Sequence, residues 1–438
     1  MSLARSRPRR LVAAAAVVSA TTLLTACAGS GGTTAAEDTS DASGEVSSDT
    51  EGTVRILMEE VPDTDIVQDL LPQFNEAYPD ITIDIESLTF DQMRDKLVAS
   101  FQSSEPAYDL IVVDNPWMVD FANAGFLAPL DSRIESTPDY EPDDFFDPLV
   151  DITTVDDTRY GVPFYNYALG YIYREDLYEE AGLGEPTTLD ELVSNVQALK
   201  DGDRAGIAMQ PQRGYKIFEE WANWLFAAGG SIYDQDGNVT LDTPEAARAL
   251  EAYIEAYETA APPNSLNWAF DEAQRSVASD GAASMVGYNW NLPTLNDPTG
   301  PAGDLAGSFK LAPMPGGKQV LGSWSWAIPA NSDSPDAAWA FVSWITSKDV
   351  EVERVKAGGA SIRESALEDE SVLAEGFGED YYAAVEQILS DAAPLTNGAS
   401  GEEMIQAVGT ELNEAVAGSK SVADALAAAQ EAAERIQE

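Results

Sequence analysis

The sequence holds no histidine and a single cysteine, Cys27, in 438 residues. That removes Ser-His-Asp and Cys-His catalysis, imidazole metal sites, thiolate zinc sites and intrachain disulfides. Carboxylates, tyrosines and tryptophans are the side chains left to do chemistry. Their densest cluster is Tyr165-Asn166-Tyr167, inside an apolar and aromatic run over residues 162–174. Glu59-Glu60, Asp114-Asn115 with Trp117, and Tyr288-Asn289-Trp290 repeat the theme, with acids, amides or rings following runs that read as strands. Rings offer stacking faces and amides offer paired donors and acceptors, a combination suited to holding a small molecule. Glycoside hydrolysis needs two positioned carboxylates, and with 76 acids in the chain any chosen pair is uninformative. Glu59-Glu60 reads as a strand-end pair with one residue pointing away. No catalytic residue, cofactor or metal is expected.

These residues need a scaffold that gathers strand ends. Residues 54–58 read as a first strand, and a helix over 65–78 carries Val67, Leu71, Phe74 and Tyr78 on one face. Pro72 inside it predicts a kink or a late start. Ile81, Ile83 and Ile85 alternate as a second strand. A helix over 91–103 precedes a continuous apolar strand at 109–114, the pattern of a strand covered on both faces. This alternation predicts an α/β, mostly parallel doubly wound sheet, in which ligands bind beyond the carboxyl ends of strands. The run over 162–174 reads as a strand where the chain leaves one lobe and enters a second, with a ligand cleft between them. In the second lobe the alternation resumes. Helices are expected at 188–200, with Thr188 and Glu191 as a capping box, at 219–228, with Trp221 and Trp224, and behind Thr243-Pro244. Strands are expected at 205–209, 282–286, 309–313 and 322–329. Helices at 335–347 and 349–356 and three Ala-rich helices after 379 complete the chain, with Trp339 and Trp344 on a core face.

The charge is extreme: 24 Lys+Arg against 76 Asp+Glu, or −52. Such a surface repels nucleic acid and anionic lipid, so nucleic-acid binding is excluded. It suits a salty medium, where screening reduces self-repulsion. The first ten residues carry four arginines and no acid, and an apolar run follows to Ala26. This predicts a secretion signal at 1–26, too short to remain as a membrane span. Leu24-Thr25-Ala26-Cys27 resembles the bacterial lipobox and makes Cys27 the expected lipid attachment site, on the outer face of the cytoplasmic membrane. Residues 27–52 read as a flexible linker of acidic, Gly, Ser and Thr residues. Asp234, Asp236, Asn238, Thr240, Asp242 and Glu245 have the spacing of a calcium loop, but Val239 stands where that loop requires glycine, so a plain β-turn is expected.

Several segments together resemble one family. They are Leu71-Pro72-Gln73-Phe74-Asn75-Glu76-Ala77-Tyr78-Pro79-Asp80-Ile81, Tyr108-Asp109-Leu110-Ile111-Val112-Val113-Asp114 and Gly161-Val162-Pro163-Phe164. They continue with Tyr173-Arg174-Glu175-Asp176-Leu177 and Gly322-Ser323-Trp324-Ser325-Trp326-Ala327-Ile328-Pro329. In this order they resemble the maltodextrin-binding-protein-like group of family 1 solute-binding proteins, the extracellular sugar-binding components of ATP-driven (ABC) importers. The resemblance implies a two-lobed, type II periplasmic-binding-protein fold. It places 53–164 plus 309–360 in an N-terminal lobe and 165–308 plus 361–438 in a C-terminal lobe. It implies a monomer that binds a sugar, oligosaccharide or sugar alcohol and docks on the transmembrane permease subunits. The tryptophan-rich late strand looks most like members that bind sugar alcohols or small oligosaccharides. The implied ligand-binding residues are Glu60, Asn115, Trp117, Tyr165, Asn166, Tyr167, Arg213, Tyr288, Asn289, Trp290, Trp324, Trp326 and Arg363. Replacing Trp326 with Ala is accordingly expected to weaken binding more than stability. Sugar C–H faces stack on indole and phenol rings, and hydroxyls need planar polar partners. The same fold binding ferric ion or an anion is the alternative, which the tryptophan-rich cleft disfavours.

Overall fold

The computed structural model describes residues 50–103, 106–235, 237–396 and 398–437. The signal segment, Cys27, nearly all of the linker and Asp236 of the calcium-like spacing lie outside the described residues. Twelve strands are described, in chain order β1 Gly52–Glu59, β2 Ile81–Leu88, β3 Leu110–Asp114, β4 Thr154–Val155, β5 Thr158–Arg159 and β6 Val162–Asn166, then β7 Leu169–Arg174, β8 Ser284–Tyr288, β9 Phe309–Ala312, β10 Gln319–Leu321, β11 Ser323–Ala327 and β12 Ala392–Pro394. The first lobe is built on the sheet β2-β1-β3-β11-β6 and the second on β8-β7-β9. β1 pairs in parallel with β2 and β3, and β11 runs antiparallel between β3 and β6.

The two-lobed α/β arrangement agrees with the sequence. In detail the second sheet pairs antiparallel throughout, and residues 205–208 join it by parallel bridges to Ala282 and Met285. The helix Pro62–Ala77 starts three residues earlier than expected, because Pro62 fits the first turn, where no N–H is needed. Phe74 on that helix meets Phe341 edge-on at 5.1 Å, joining it to the helix Pro335–Ile345 across the first core. Trp221 and Trp224 are fully buried in the second core, the latter edge-on to Tyr253 at 5.4 Å.

The aromatic run over 162–174 is two strands in two sheets. It breaks at Tyr167-Ala168, and that break is the crossing between lobes. Trp324 lies opposite Tyr165 and Ser323 opposite Asn166, so Tyr165 and Asn166 belong to the first sheet and not to the second lobe. Residues 309–312 were expected to begin the return to the first lobe; they form β9 and pair with β7 in the second sheet. The return is made by β11, immediately after Gly322. The segment after 361 packs on both faces of the second sheet: Val385, Ile388 and Leu389 join the core that runs from the first sheet to Ile172 and Leu311, whereas Met404, Val408 and Leu426 join the core that holds Tyr171 and Val286.

Candidate functional site

A cleft of about 980 Å³ opens where the carboxyl ends of β1 and β3 face the second lobe. β1 ends on Glu59 and β3 on Asp114, and both carboxylates line the cleft. Each accepts a tyrosine hydroxyl from the crossing: Tyr165 donates to Glu59 Oε2 at 2.5 Å and Tyr167 to Asp114 Oδ1 at 2.6 Å. Asp114 also accepts from Asn115 N at 3.0 Å and so caps the helix Asn115–Asn123. Burial lifts the Glu59 carboxyl to about 7 against the pull of the Tyr165 hydroxyl and the Lys216 charge. Burial also holds Asp114 well above the usual carboxylate range; the Tyr167 bond opposes this and the charges of Glu59 and Glu402 add to it.

The opposite wall comes from the helix Tyr215–Ala227 and from the end of β8. Lys216 Nζ donates to Glu219 Oε2 at 2.9 Å and to the Tyr288 hydroxyl at 2.5 Å, and that hydroxyl donates in turn to Glu219 Oε2 at 2.9 Å. The ammonium also lies 5.2 Å from the ring centres of both Tyr215 and Tyr288. Burial alone would lower the lysine's pKa; the Glu219 carboxylate and Tyr288 more than reverse this and raise it. Trp290 stacks on Tyr288, with centroids 5.4 Å apart and planes 16° apart. From the first lobe, Trp324 and Tyr165 are near-parallel at 6.4 Å, and Phe90 meets Trp324 edge-on at 6.1 Å.

The structure brings Tyr165, Tyr167, Tyr288, Trp290, Trp324 and Arg213 to the cleft wall, Arg213 at an exposed rim position paired with Glu414 at 3.4 Å. Seven other expected residues do not line it. Glu60 lies just past the end of β1 and points to solvent, whereas Glu59, the last residue of the strand, lines the cleft. Asn115 and Trp117 stand one layer behind: Asn115 Oδ1 accepts from the Tyr167 hydroxyl at 3.2 Å, and Trp117 supports Trp324 edge-on at 5.2 Å. Asn166 and Asn289 are buried in the crossing, where Asn289 Nδ2 donates to Asn166 Oδ1 at 2.8 Å and Asn166 Nδ2 to Ser361 O at 2.6 Å. Trp326 is fully buried, 4.5 Å from Phe164. It shares a face with Trp324 but lies level with Val112, two residues inside the sheet end, whereas Trp324 is level with Asp114. Arg363 is sealed in the first lobe, where it donates to Thr346 O, Glu141 O and Tyr140 O and lies 4.0 Å from the Phe145 ring.

Sequence reasoning missed Tyr215, Lys216 and Glu219 because it started their helix at 219. Gly214, at φ +92°, was the available signal: a left-handed glycine lets the helix begin right after it and aims its first turn at the cleft. Phe90 and Phe377 were missed as well. The latter is an exposed ring between Gly376 and Gly378 at the rim, and a lone Phe in a polar stretch carries no periodic signal.

A cleft with ring faces on both walls, carboxylates at strand ends and a crossing between lobes is what a solute-binding protein needs. The family described as bacterial extracellular solute-binding proteins matches residues 60–352, two-thirds of the chain. The chain belongs to this family. A mannitol-binding protein of Pseudomonas aeruginosa is 27% identical over 312 residues, covering 68% of this chain and 70% of its own. A probable amino-acid ABC transporter periplasmic-binding protein of Sinorhizobium fredii is 25% identical over 305 residues, covering 68% and 70%. A solute-binding protein of Agrobacterium radiobacter, solved with ribitol, superposes with a TM-score of 0.77 at 24% identity, covering 88% of this chain and 99% of that one. That likeness shows the two-lobed fold. As a bacterial extracellular solute-binding protein, the chain stands with transport components. No helix among the described residues is long and apolar enough to cross a membrane.

Proposed function

We propose that this protein captures a sugar, small oligosaccharide or sugar alcohol in the inter-lobe cleft and delivers it to the transmembrane subunits of an ABC importer. The single observation that carries this is the facing of ring and carboxylate from both lobes: Trp324, Tyr165, Glu59 and Asp114 on one wall, Tyr288, Trp290 and Glu219 on the other. Ring faces stack on sugar C–H faces, and carboxylates accept from hydroxyls. The mannitol- and ribitol-binding relatives support the same class. The amino-acid name of the Sinorhizobium relative fits less well. An α-carboxylate needs a free base, and both lining bases are taken, Lys216 by Glu219 and Arg213 by Glu414.

In this reading ligand bridges the two walls and shifts a hinge equilibrium at the 166–168 and 322 crossings towards closure. A lipid on Cys27 tethers a monomer to the outer face of the cytoplasmic membrane. A thermal-shift screen against sugars and polyols, followed by calorimetry on the hits, tests the function: at least one neutral or substituted carbohydrate should raise the melting temperature and bind one to one. Silence across sugars and polyols, with stabilisation by ferric or phosphate ions instead, would replace it with the alternative.

A further inference from the structure

The cleft already contains one ammonium in a finished seat. Lys216 Nζ sits between the Glu219 carboxylate, the Tyr288 hydroxyl and the rings of Tyr215 and Tyr288. The other wall repeats those parts without a cation of its own; Lys216, on the facing wall, is the positive charge that acts on Glu59. Glu59 and Asp114 each hold a tyrosine hydroxyl, the Tyr165 and Tyr167 rings lie 6.5 Å apart, and Trp324 lies parallel to Tyr165. Asp114 is 1% exposed, and the charges acting most strongly on it are those of Glu59 and Glu402, both of its own sign. Asp114 is buried and Glu59 half-buried, both against rings rather than on the solvated acidic surface.

A second observation points to a missing donor. Glu219 is 1% exposed and lines the cleft, and its Oε1 has no hydrogen-bond partner, although Oε2 has two. A buried acceptor without a partner is costly, and a donor on the ligand removes the cost.

We propose that the ligand is a carbohydrate or polyol bearing a protonated amine, whose ammonium sits between Glu59 and Asp114 over Trp324 and Tyr165 as Lys216 sits at Glu219. This rests on the carbohydrate reading and narrows it to amino sugars and amino polyols. Carboxylate–ammonium hydrogen bonds are about twice as strong as neutral ones, and ring faces attract a desolvated cation.

The test uses matched neutral and cationic probes on the intact protein: sorbitol against 1-amino-1-deoxysorbitol, and cellobiose against its 2,2′-diamino counterpart, fully deacetylated chitobiose, with diacetylchitobiose as an uncharged control. Calorimetry should show at least one amine binding about tenfold or more tighter than its hydroxyl twin, with affinity that falls as NaCl rises. Asp114→Asn, which keeps the acceptor for Tyr167, should cost the amine far more affinity than its neutral twin and so remove most of the preference, read as the ratio of the two affinities. If Asp114→Asn does not fold, Glu59→Gln serves, since it keeps the acceptor for Tyr165. Equal or tighter binding of the neutral twins would overturn the amine proposal and leave the carbohydrate reading standing. A variant that loses neutral and amine probes alike would overturn it too, by making Asp114 an acceptor for hydroxyls only. No binding by any sugar or polyol, charged or not, overturns both.

Discussion

Gly322 lies directly beneath the ring of Tyr167: a Cβ on Gly322 would stand 1.7 Å from one ring carbon and 1.8 Å from another. The backbone cements the contact, Tyr167 N donating to Gly322 O at 2.9 Å. Two of the chain's crossings between lobes therefore touch through a tyrosine whose hydroxyl reaches Asp114 in the cleft. Gly322→Ala should expel that ring, cost roughly 1–3 kcal/mol of overpacking and weaken ligand binding. The same substitution in a Tyr167→Ala background should cost much less, and a double-mutant cycle by thermal unfolding reads the difference. Additive costs would show that the two residues do not share the strain.

Trp324 and Trp326 should separate cleanly. Trp326→Ala removes a fully buried indole from the first core and should lose about 3–5 kcal/mol of stability, with ligand affinity of the folded fraction unchanged. Trp324→Ala should lower affinity by about tenfold or more, ~1.4 kcal/mol, with the smaller effect on melting. Denaturant unfolding and calorimetry on the same two preparations check both halves.

Stability should fall as pH rises through neutrality, partly because of Glu220. This carboxyl is 0% exposed, accepts from Tyr253 OH at 2.5 Å and Gln210 N at 2.6 Å, and burial lifts it from an ordinary 4.5 to about 8. A carboxyl with a raised folded value keeps its proton in the native state. Its stabilisation is complete below about 4.5 and is lost as pH climbs through about 8. Glu220→Gln keeps both accepted hydrogen bonds without the titration, so the decline between pH 5 and 8 should flatten by an amount on the order of 3 kcal/mol. Urea melts at several pH values measure it, and parallel curves for the two proteins would refute it.

Arg354 is the buried knot of the first lobe. It meets Asp63 and Glu351 at 2.7 Å each, and those acids also accept from Ala360 N at 3.3 Å and Ile362 N at 2.8 Å. Removing the guanidinium leaves two acids buried without their counter-charge. Arg354→Met should cost ~3–5 kcal/mol, whereas Arg435→Met, which breaks an exposed pair with Glu431, should stay within about 0.5 kcal/mol. Chemical unfolding of the two variants distinguishes them.

With 76 acids and 24 bases, self-repulsion should fall steeply with ionic strength. The melting temperature is expected to rise between low and molar NaCl, and a flat profile would sink the inference of a saline setting.

The sequence alone determined the alternating α/β character of the chain and which catalytic side chains it lacks. Period-two runs such as Ile81, Ile83 and Ile85, the apolar strand ending at Asp114 and the capped helices are local signals, carried by neighbours in the chain. The absence of histidine needs no fold at all. What the sequence left open was depth and direction. Trp324 and Trp326 share a motif and a sheet face, yet only the one level with the end of β3 meets the cleft, because a strand advances about 3.3 Å per residue. Glu59 and Glu60 are neighbours of the same type, yet only Glu59 ends β1 at the cleft, while Glu60 already lies in the bend beyond it. Arg363 looks the same in sequence whether it greets a ligand or carbonyls 17 to 223 residues away. Contacts of that range are set by how whole elements pack, so only the tertiary structure could place the residues that face the cleft.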